Sequence, residues 1–338
     1  MRTIPGPGSS TRRATTMAAV VGRSYGSPDL LEVETVDRPT VDARGVLVQV
    51  RAAGVDQGVW HTVTGLPYGI RGAGFGLLKP KSPVPGFDVA GVVSAVGREV
   101  TRFQVGDEVF GTCIGAYAQY AAAQESSLVR RPPNVTFEQA AAAPSSAMAA
   151  LQALRDVGRV AAGQRVLIIG AGGGVGTFAV QLATGFGAHV TGVCSTSKVD
   201  LVRSIGAGDV IDYTREDITA RPRSYDVILD TGGDRTISQL RTALTPTGTL
   251  VIVGGEGGGR VLGLSRQLRA MALSPLVQQR LGTVFSATRL PDLALVAQML
   301  ADGRVVSVVD RTFTLREVPE AIRYLRAGRV RGKVVIAV

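Results

Sequence analysis

Cysteine and histidine are scarce in this 338-residue chain: Cys113 and Cys194, His61 and His189. Two distant cysteines cannot supply a four-thiolate zinc lobe or a disulfide framework. One disulfide is possible, but two separate thiols in a reducing compartment is the expected state. Two imidazoles leave little for metal binding or proton relay, and no metal site is expected. Aromatic residues make up only 5%, with Trp60 the single tryptophan, too few for an obvious base-stacking surface. Long hydrophobic runs are also missing, since none approaches the roughly 18 residues of a membrane span. Nor is the charge of one sign: 37 basic against 27 acidic residues give +10. The basic residues are scattered rather than packed into runs, so neither a membrane nor a nucleic-acid partner is expected.

What is present is a globular chain. Hydrophobic residues reach 45%, and at about 150 residues per domain the length suggests two domains. A soluble, cytoplasmic protein is the expectation. Residues 1–16, MRTIPGPGSSTRRATT, lack an apolar signal region, and Pro5, Gly6, Pro7 and Gly8 work against a transit-peptide helix. They are read as a disordered extension.

From Met17 onward, VLVQVRAAGV, VAGVVSAVG and GDEVFG are short β-branched runs bounded by turn residues. Between them GLPYGIRGAGFGLLKPKSPVPG holds too much Gly and Pro for a regular element. FEQAAAAPSSAMAALQAL is helical, with Pro144 starting or kinking a helix. After Gly163 the rhythm becomes strand, helix, strand through RVLIIG, HVTGVCS, DVIDY, YDVILD and TLVIVGG, which implies a parallel, doubly wound sheet. The closing RGKVVIAV returns to the texture of the first part and is expected to rejoin it.

RVLIIGAGGGVGTFAVQLA carries the most chemistry. A buried strand runs into Ala171, Gly173 and Gly176, an A-x-G-x-x-G turn that opens a helix. Such a turn lets backbone N–H groups, here of Gly173, Gly174 and Val175, approach a pyrophosphate at a positive helix end. No Lys-Ser/Thr pair closes the run, which excludes a P-loop, and Ser145 and Ser146 lack a G-x-S-x-G setting. An NAD site would place an acid about 20 residues on. Here stand Ser195, Thr196, Ser197 and Lys198. Hydroxyls and a cation suit a 2′-phosphate, so NADPH is expected, although the same hydroxyls also suit a helix cap.

RAAGVD, VPGFDVAGVVSAVG, GDEVFG, FEQAAA, GAGGGVGTFAVQLA, GAGDVIDY, YDVILDTGG and RGKVVIAV, in this order, resemble the medium-chain dehydrogenase/reductase superfamily, in its zinc-free quinone oxidoreductase (zeta-crystallin-like) branch. The resemblance implies an α/β fold, a GroES-like β-rich catalytic domain plus a Rossmann doubly wound parallel-sheet domain. Expected boundaries are 17–135 for the first catalytic part, 136–300 for the NADP-binding domain and 301–338 for the return. Phe87 and Asp56 stand where the zinc enzymes carry a ligand histidine and cysteine. Without that Lewis acid, hydride delivery to an already electrophilic carbon remains, in a quinone or an α,β-unsaturated carbonyl.

The resemblance also assigns the 2′-phosphate to Lys198 and Tyr213 and the nicotinamide turn to Gly254 and Gly255, followed by EGGGR as a mobile loop. Asp56 replaces a usual asparagine near the nicotinamide, Val59 a polar residue and Ala149 a threonine. Tyr68 is a candidate donor to the substrate oxygen. TVFSA, residues 283–287, reads as an edge strand that pairs with its twin in a homodimer. Two other readings stand beside this one: a zinc-free alcohol dehydrogenase, and a non-catalytic NADPH- or RNA-binding crystallin-like protein whose RNA affinity would fall steeply with salt.

Overall fold

The computed structural model describes residues 15–232, 235–254 and 264–338. Within them the strands form three sheets. β1 (Thr16–Val21) and β2 (Glu32–Asp37) make an antiparallel ribbon, starting one residue before the expected boundary.

The second sheet is built on the longest strand, β3 (Gly45–Val55), whose alternating valines fill one core. It pairs with β4 (Asp88–Val96), which continues through β5 (Glu108–Thr112) to β7 (Leu128–Arg130), while β6 (Tyr120–Gln124) covers the first half of β3. The other side of β3 takes β15 (Lys333–Ala337), with β14 (Val309–Thr314) beyond it. The closing segment thus adds to the strand that begins the sheet. Helix α1 (Gln57–Thr64) leaves β3 directly, and α9 (Val318–Arg326) joins β14 to β15. The Gly/Pro-rich stretch between α1 and β4 is mostly irregular but coils through one distorted helical turn, Arg71–Phe75.

α2 (Phe137–Ala141) and α3 (Pro144–Gln152) lead to the third sheet, and Pro144 opens a new helix at its first position, where no N–H is needed. That sheet is fully parallel: β10 (Asp209–Asp212), β9 (His189–Cys194), β8 (Arg165–Ile169), β11 (Tyr225–Asp230), β12 (Leu244–Val253) and β13 (Arg280–Val284), in that spatial order. Its crossovers carry α4 (Gly174–Gly185), α5 (Val199–Ser204), α6 (Ile237–Ala243) and α7 (Ser265–Leu273), and α8 (Leu290–Ala301) follows it. This is the GroES-like plus Rossmann architecture that was expected. Strand order reverses between β8 and β11, so a crevice opens beyond their C-terminal ends. The last strand sits three residues earlier than TVFSA suggested: Leu281 is buried, whereas Phe285 is 67% exposed. One apolar core runs from Ala52, Ala90 and Phe110 through α3 to the parallel sheet. No described helix is long and apolar enough to cross a membrane.

Candidate active site

The chain leaves β8 at Gly170, whose φ of +79° and close approach to the Thr231 hydroxyl (2.4 Å from an added Cβ) admit only glycine. Ala171 is buried and donates its N–H to Val193 O (3.0 Å), tying the turn to β9. Gly173 enters α4 in extended geometry and brings no capping side chain. The N–H groups of Gly174, Val175 and Gly176 in the first helical turn therefore face outward without an intrahelical acceptor. At Gly176 an added Cβ would lie 2.1 Å from Gly170 O, so helix and turn pack backbone to backbone. These are the parts of a pyrophosphate cradle. The tight-turn role falls to Gly170, one residue before the Ala171 that the motif selected.

Beside this turn, the register Asp212↔Cys194 makes Ser195 and Tyr213 leave neighbouring strands side by side, and the Tyr213 N–H bonds Cys194 O (3.1 Å). Tyr213 is 56% exposed. The Ser195 and Ser197 hydroxyls meet each other at 3.4 Å, and no side chain caps α5, so capping is not their role here. Thr196 differs, turning its hydroxyl onto Asp212 (2.5 Å). That carboxylate also accepts the N–H and hydroxyl of Thr214, and these hydrogen bonds, Thr196's first, hold it below the usual carboxylate range. Lys198 lies across Gly172 and donates to Gly328 O (3.0 Å). Burial pushes its ammonium pKa down. Gly254 has φ +89° at the end of β12. Gly255 and the EGGGR segment lie outside the described residues.

On the opposite wall, Asp56 caps α1 by accepting the Val59 N–H (3.2 Å), and Gly58 presents that helix start to the Phe87 ring. Tyr68 is half exposed, its ring under the Arg71 guanidinium (4.8 Å to the centroid). Trp60 sits under Arg326, and His61 Nδ1 holds Leu66 O at 2.6 Å, a loop anchor rather than a relay.

Between the two walls lies a buried group that motif reading missed. Asp88, with no exposure, accepts the Ser145 N–H (3.1 Å) and its hydroxyl (2.5 Å). Lys333, 2% exposed, donates to Ser146 Oγ (3.0 Å) and stands 3.8 Å from Asp88 Oδ2. Burial, opposed by the Lys333 charge, pushes the Asp88 carboxyl up to about 7. An added Cβ at Gly174 would lie 3.0 Å from Lys333 Cδ, so this cluster abuts the start of α4. The available signal was a lone charge at the head of each of two apolar strands, DVAGVV and KVVIA.

Ser145 also lines a cavity of about 660 Å3 bounded by Phe75, Phe87, Thr112, Cys113 and Thr288. Burial and the Asp88 charge push the Cys113 thiol up to about 12, so it is no thiolate nucleophile. Among the described residues no three His, Cys, Asp or Glu side chains gather as a metal site.

Two family models match the chain, "Alcohol dehydrogenase GroES-like domain" over residues 42–133 and "Zinc-binding dehydrogenase" over residues 205–336. The mitochondrial NAD(P)H oxidoreductase RTN4IP1 of Mus musculus is 35% identical over 75% of this chain and 70% of its own. The chloroplastic NADPH-dependent alkenal/one oxidoreductase of Arabidopsis thaliana is 31% identical over 95% and 79%. The solved quinone oxidoreductase of Coxiella burnetii superposes with a TM-score of 0.84 at 26% identity, over 96% of this chain and 99% of that one. The nucleotide cradle, the second sheet closed by its late strand and these likenesses together make the chain an oxidoreductase that takes a nicotinamide cofactor, and it belongs to the medium-chain dehydrogenase/reductase superfamily, in its quinone oxidoreductase branch.

Proposed function

We propose that this protein is a zinc-independent reductase that uses NADPH to reduce a quinone or an α,β-unsaturated carbonyl compound. The observation that carries the choice of NADPH is the end of β9. There Ser195, Ser197 and Lys198 gather, while the neighbouring acid, Asp212, is occupied by Thr196 and Thr214. A ribose 2′-hydroxyl seeks a carboxylate, whereas a 2′-phosphate seeks donors and a cation. The Arabidopsis relative is named as NADPH-dependent and the Coxiella structure as a quinone oxidoreductase, which supports the same reading.

The cofactor's chemistry, when bound, is hydride donation. The chain holds it through the α4 N-terminus, with Gly170 and Gly176 keeping the approach open. Lys198, Tyr213 and Ser195 would hold the adenosine 2′-phosphate, and the Gly254 turn would stand at the nicotinamide end. On the substrate side Asp56 sets the position of α1 and Phe87. Ser145 lines the cavity but its hydroxyl is given to Asp88, so the donor we assign to the developing oxyanion is Tyr68.

Titration of the purified protein by Trp60 and nicotinamide fluorescence tests the reading. NADPH should bind tightly and NADH much more weakly. Lys198→Ala should weaken NADPH roughly ten- to a hundredfold, the worth of one charge-assisted hydrogen bond, and leave NADH unchanged. Binding of neither cofactor overturns the proposal.

We also propose a homodimer in which β13, at the edge of the parallel sheet, pairs with its twin. Sedimentation should give twice 35.2 kDa, and a monomer at micromolar concentration overturns it. Two free thiols fit a reducing compartment, and we assign the cytoplasm.

A further inference from the structure

Asp88 is a fully buried carboxyl that cofactor binding and the oxyanion contact leave unused. The titratable and hydroxyl groups that face it are Asp56 at the start of α1, Cys113 after β5, Tyr117, Ser145 in α3 and Lys333 in β15. Three of them are committed elsewhere. Asp56 caps α1, and the Tyr117 hydroxyl donates to Gly54 O (3.1 Å). Lys333 donates to Ser146 Oγ, a buried group that does not line the cavity. Cys113 does line it, but its thiol, pushed up to about 12, is too weak an acid to supply a proton at neutral pH. Ser145 is left. It lines the cavity and meets Asp88 twice, through its hydroxyl and through an N–H that lies 3.1 Å from one carboxyl oxygen and 3.3 Å from the other.

The hydroxyl contact can run in either direction. With Asp88 ionised, Ser145 donates to it and the serine hydrogen is held away from the substrate. With a proton on Asp88, the carboxyl donates to Ser145 Oγ and frees the serine hydrogen to turn into the cavity. The Ser145 N–H keeps an acceptor in both states, because both carboxyl oxygens are within reach. We propose that Ser145 is the catalytic acid of the reduction and that Asp88 is the proton reservoir acting through it. This rests on the reductase reading above. Hydride transfer reduces the substrate by two electrons and leaves the anion of an enol or a hydroquinone, which Tyr68 steadies. The Ser145 O–H then breaks as its proton moves to that anion, and the Asp88 O–H breaks as its proton moves to Ser145 Oγ. An enol so formed tautomerises in water. The new carboxylate is met by Lys333 Nζ, 3.8 Å from Asp88 Oδ2. After the product leaves, water entering the cavity returns one proton along the same path. A carboxyl that titrates at about 7 suits this task at neutral pH.

The charge of Asp88 is read first, by infrared spectroscopy on the protein without cofactor. A carboxylic acid band should be present at about pH 5.5, fade as pH rises through about 7, and be missing from Asp88→Asn. A carboxylate already ionised at the lower pH overturns the reservoir. Turnover of cyclohexenone and naphthoquinone is read next, at saturating NADPH. Above about pH 7, kcat/KM should fall about tenfold per pH unit, and Asp88→Asn should abolish that break. Near pH 6, Ser145→Ala should lower kcat about a hundredfold and leave NADPH affinity unchanged. Ser145→Thr, which keeps a hydroxyl, should restore most of the loss. Ser145 is only partly buried, so its variants report on the relay even where loss of the Asp88 carboxyl unsettles the fold. A pH break that survives Asp88→Asn, or an unchanged kcat in Ser145→Ala, overturns the relay. Failure to reduce either compound despite NADPH binding overturns instead the function on which it rests.

Discussion

A methyl group at position 176 has nowhere to go. The atom it meets is a backbone carbonyl oxygen, Gly170 O, which cannot swing aside as a side chain can. Gly176→Ala should destabilise the protein by about 1–3 kcal/mol. It should also weaken NADPH and NADH alike, because the displaced element is the cradle both share; parallel titration and denaturation check the pair of effects. Asp88 makes a different prediction. Its carboxyl titrates near 7 in the folded protein and near 3.9 in an unfolded chain. Between those values the folded protein holds a proton that the unfolded chain has released. Its contribution to stability is full below about pH 4 and is lost as pH rises through about 7. Carboxylates held low by arginine, such as Asp156 by Arg155, act in the opposite direction and at lower pH. Urea midpoints should therefore fall from about pH 5 to about pH 8, and Asp88→Asn should flatten that slope whatever it does to absolute stability.

At the scale of elements, Asp56 joins a loop chemistry to a helix. Its carboxylate caps α1, and α1 carries Gly58 against Phe87. Asp56→Ala should cost about 1 kcal/mol of stability and disturb KM. Asp56→Asn keeps a capping oxygen and should keep activity, whereas a large loss of kcat in that variant would show that the charge itself serves the reaction. The elements most legible in the sequence were those of the parallel sheet. Strands buried on both faces read as continuous apolar runs between glycines, and β8 to β12 fall where those runs lie. β13 was displaced because Phe285 has strand propensity but no neighbour to bury it, while Leu281, beside Gly282, is the residue the core accepts. The site was legible only where a local motif marks it. Gly173 and Gly176 stand together in sequence, whereas Asp88, Ser145 and Lys333 meet only after three distant segments fold. Thr196 looked like its neighbours in the sequence, and only the packing of Asp212 beside it turns its hydroxyl inward.

The two large sheets share one apolar core and are also tied together beside the glycine turn. Gly332 donates to Gly172 O (3.0 Å), and the next residue, Lys333, reaches Ser146 and approaches Asp88. A cofactor resting on the glycine turn should therefore stabilise both sheets as a unit. At a hundred times its dissociation constant, NADPH should add about 2.7 kcal/mol to a single unfolding transition. Two separated transitions in calorimetry, only one of them moved by NADPH, would show that the contact does not couple the sheets. This arrangement also bears on how the protein is made. β3 and β4 leave the ribosome early, but the flank of β3 from Ala52 to Val55 receives its partner, β15, only after every strand of the parallel sheet has been synthesised. At about 5–20 residues per second, that flank stays open for tens of seconds as a bare template for another chain. Nascent chains are thus open to mispairing along a strand that the finished enzyme covers on both sides.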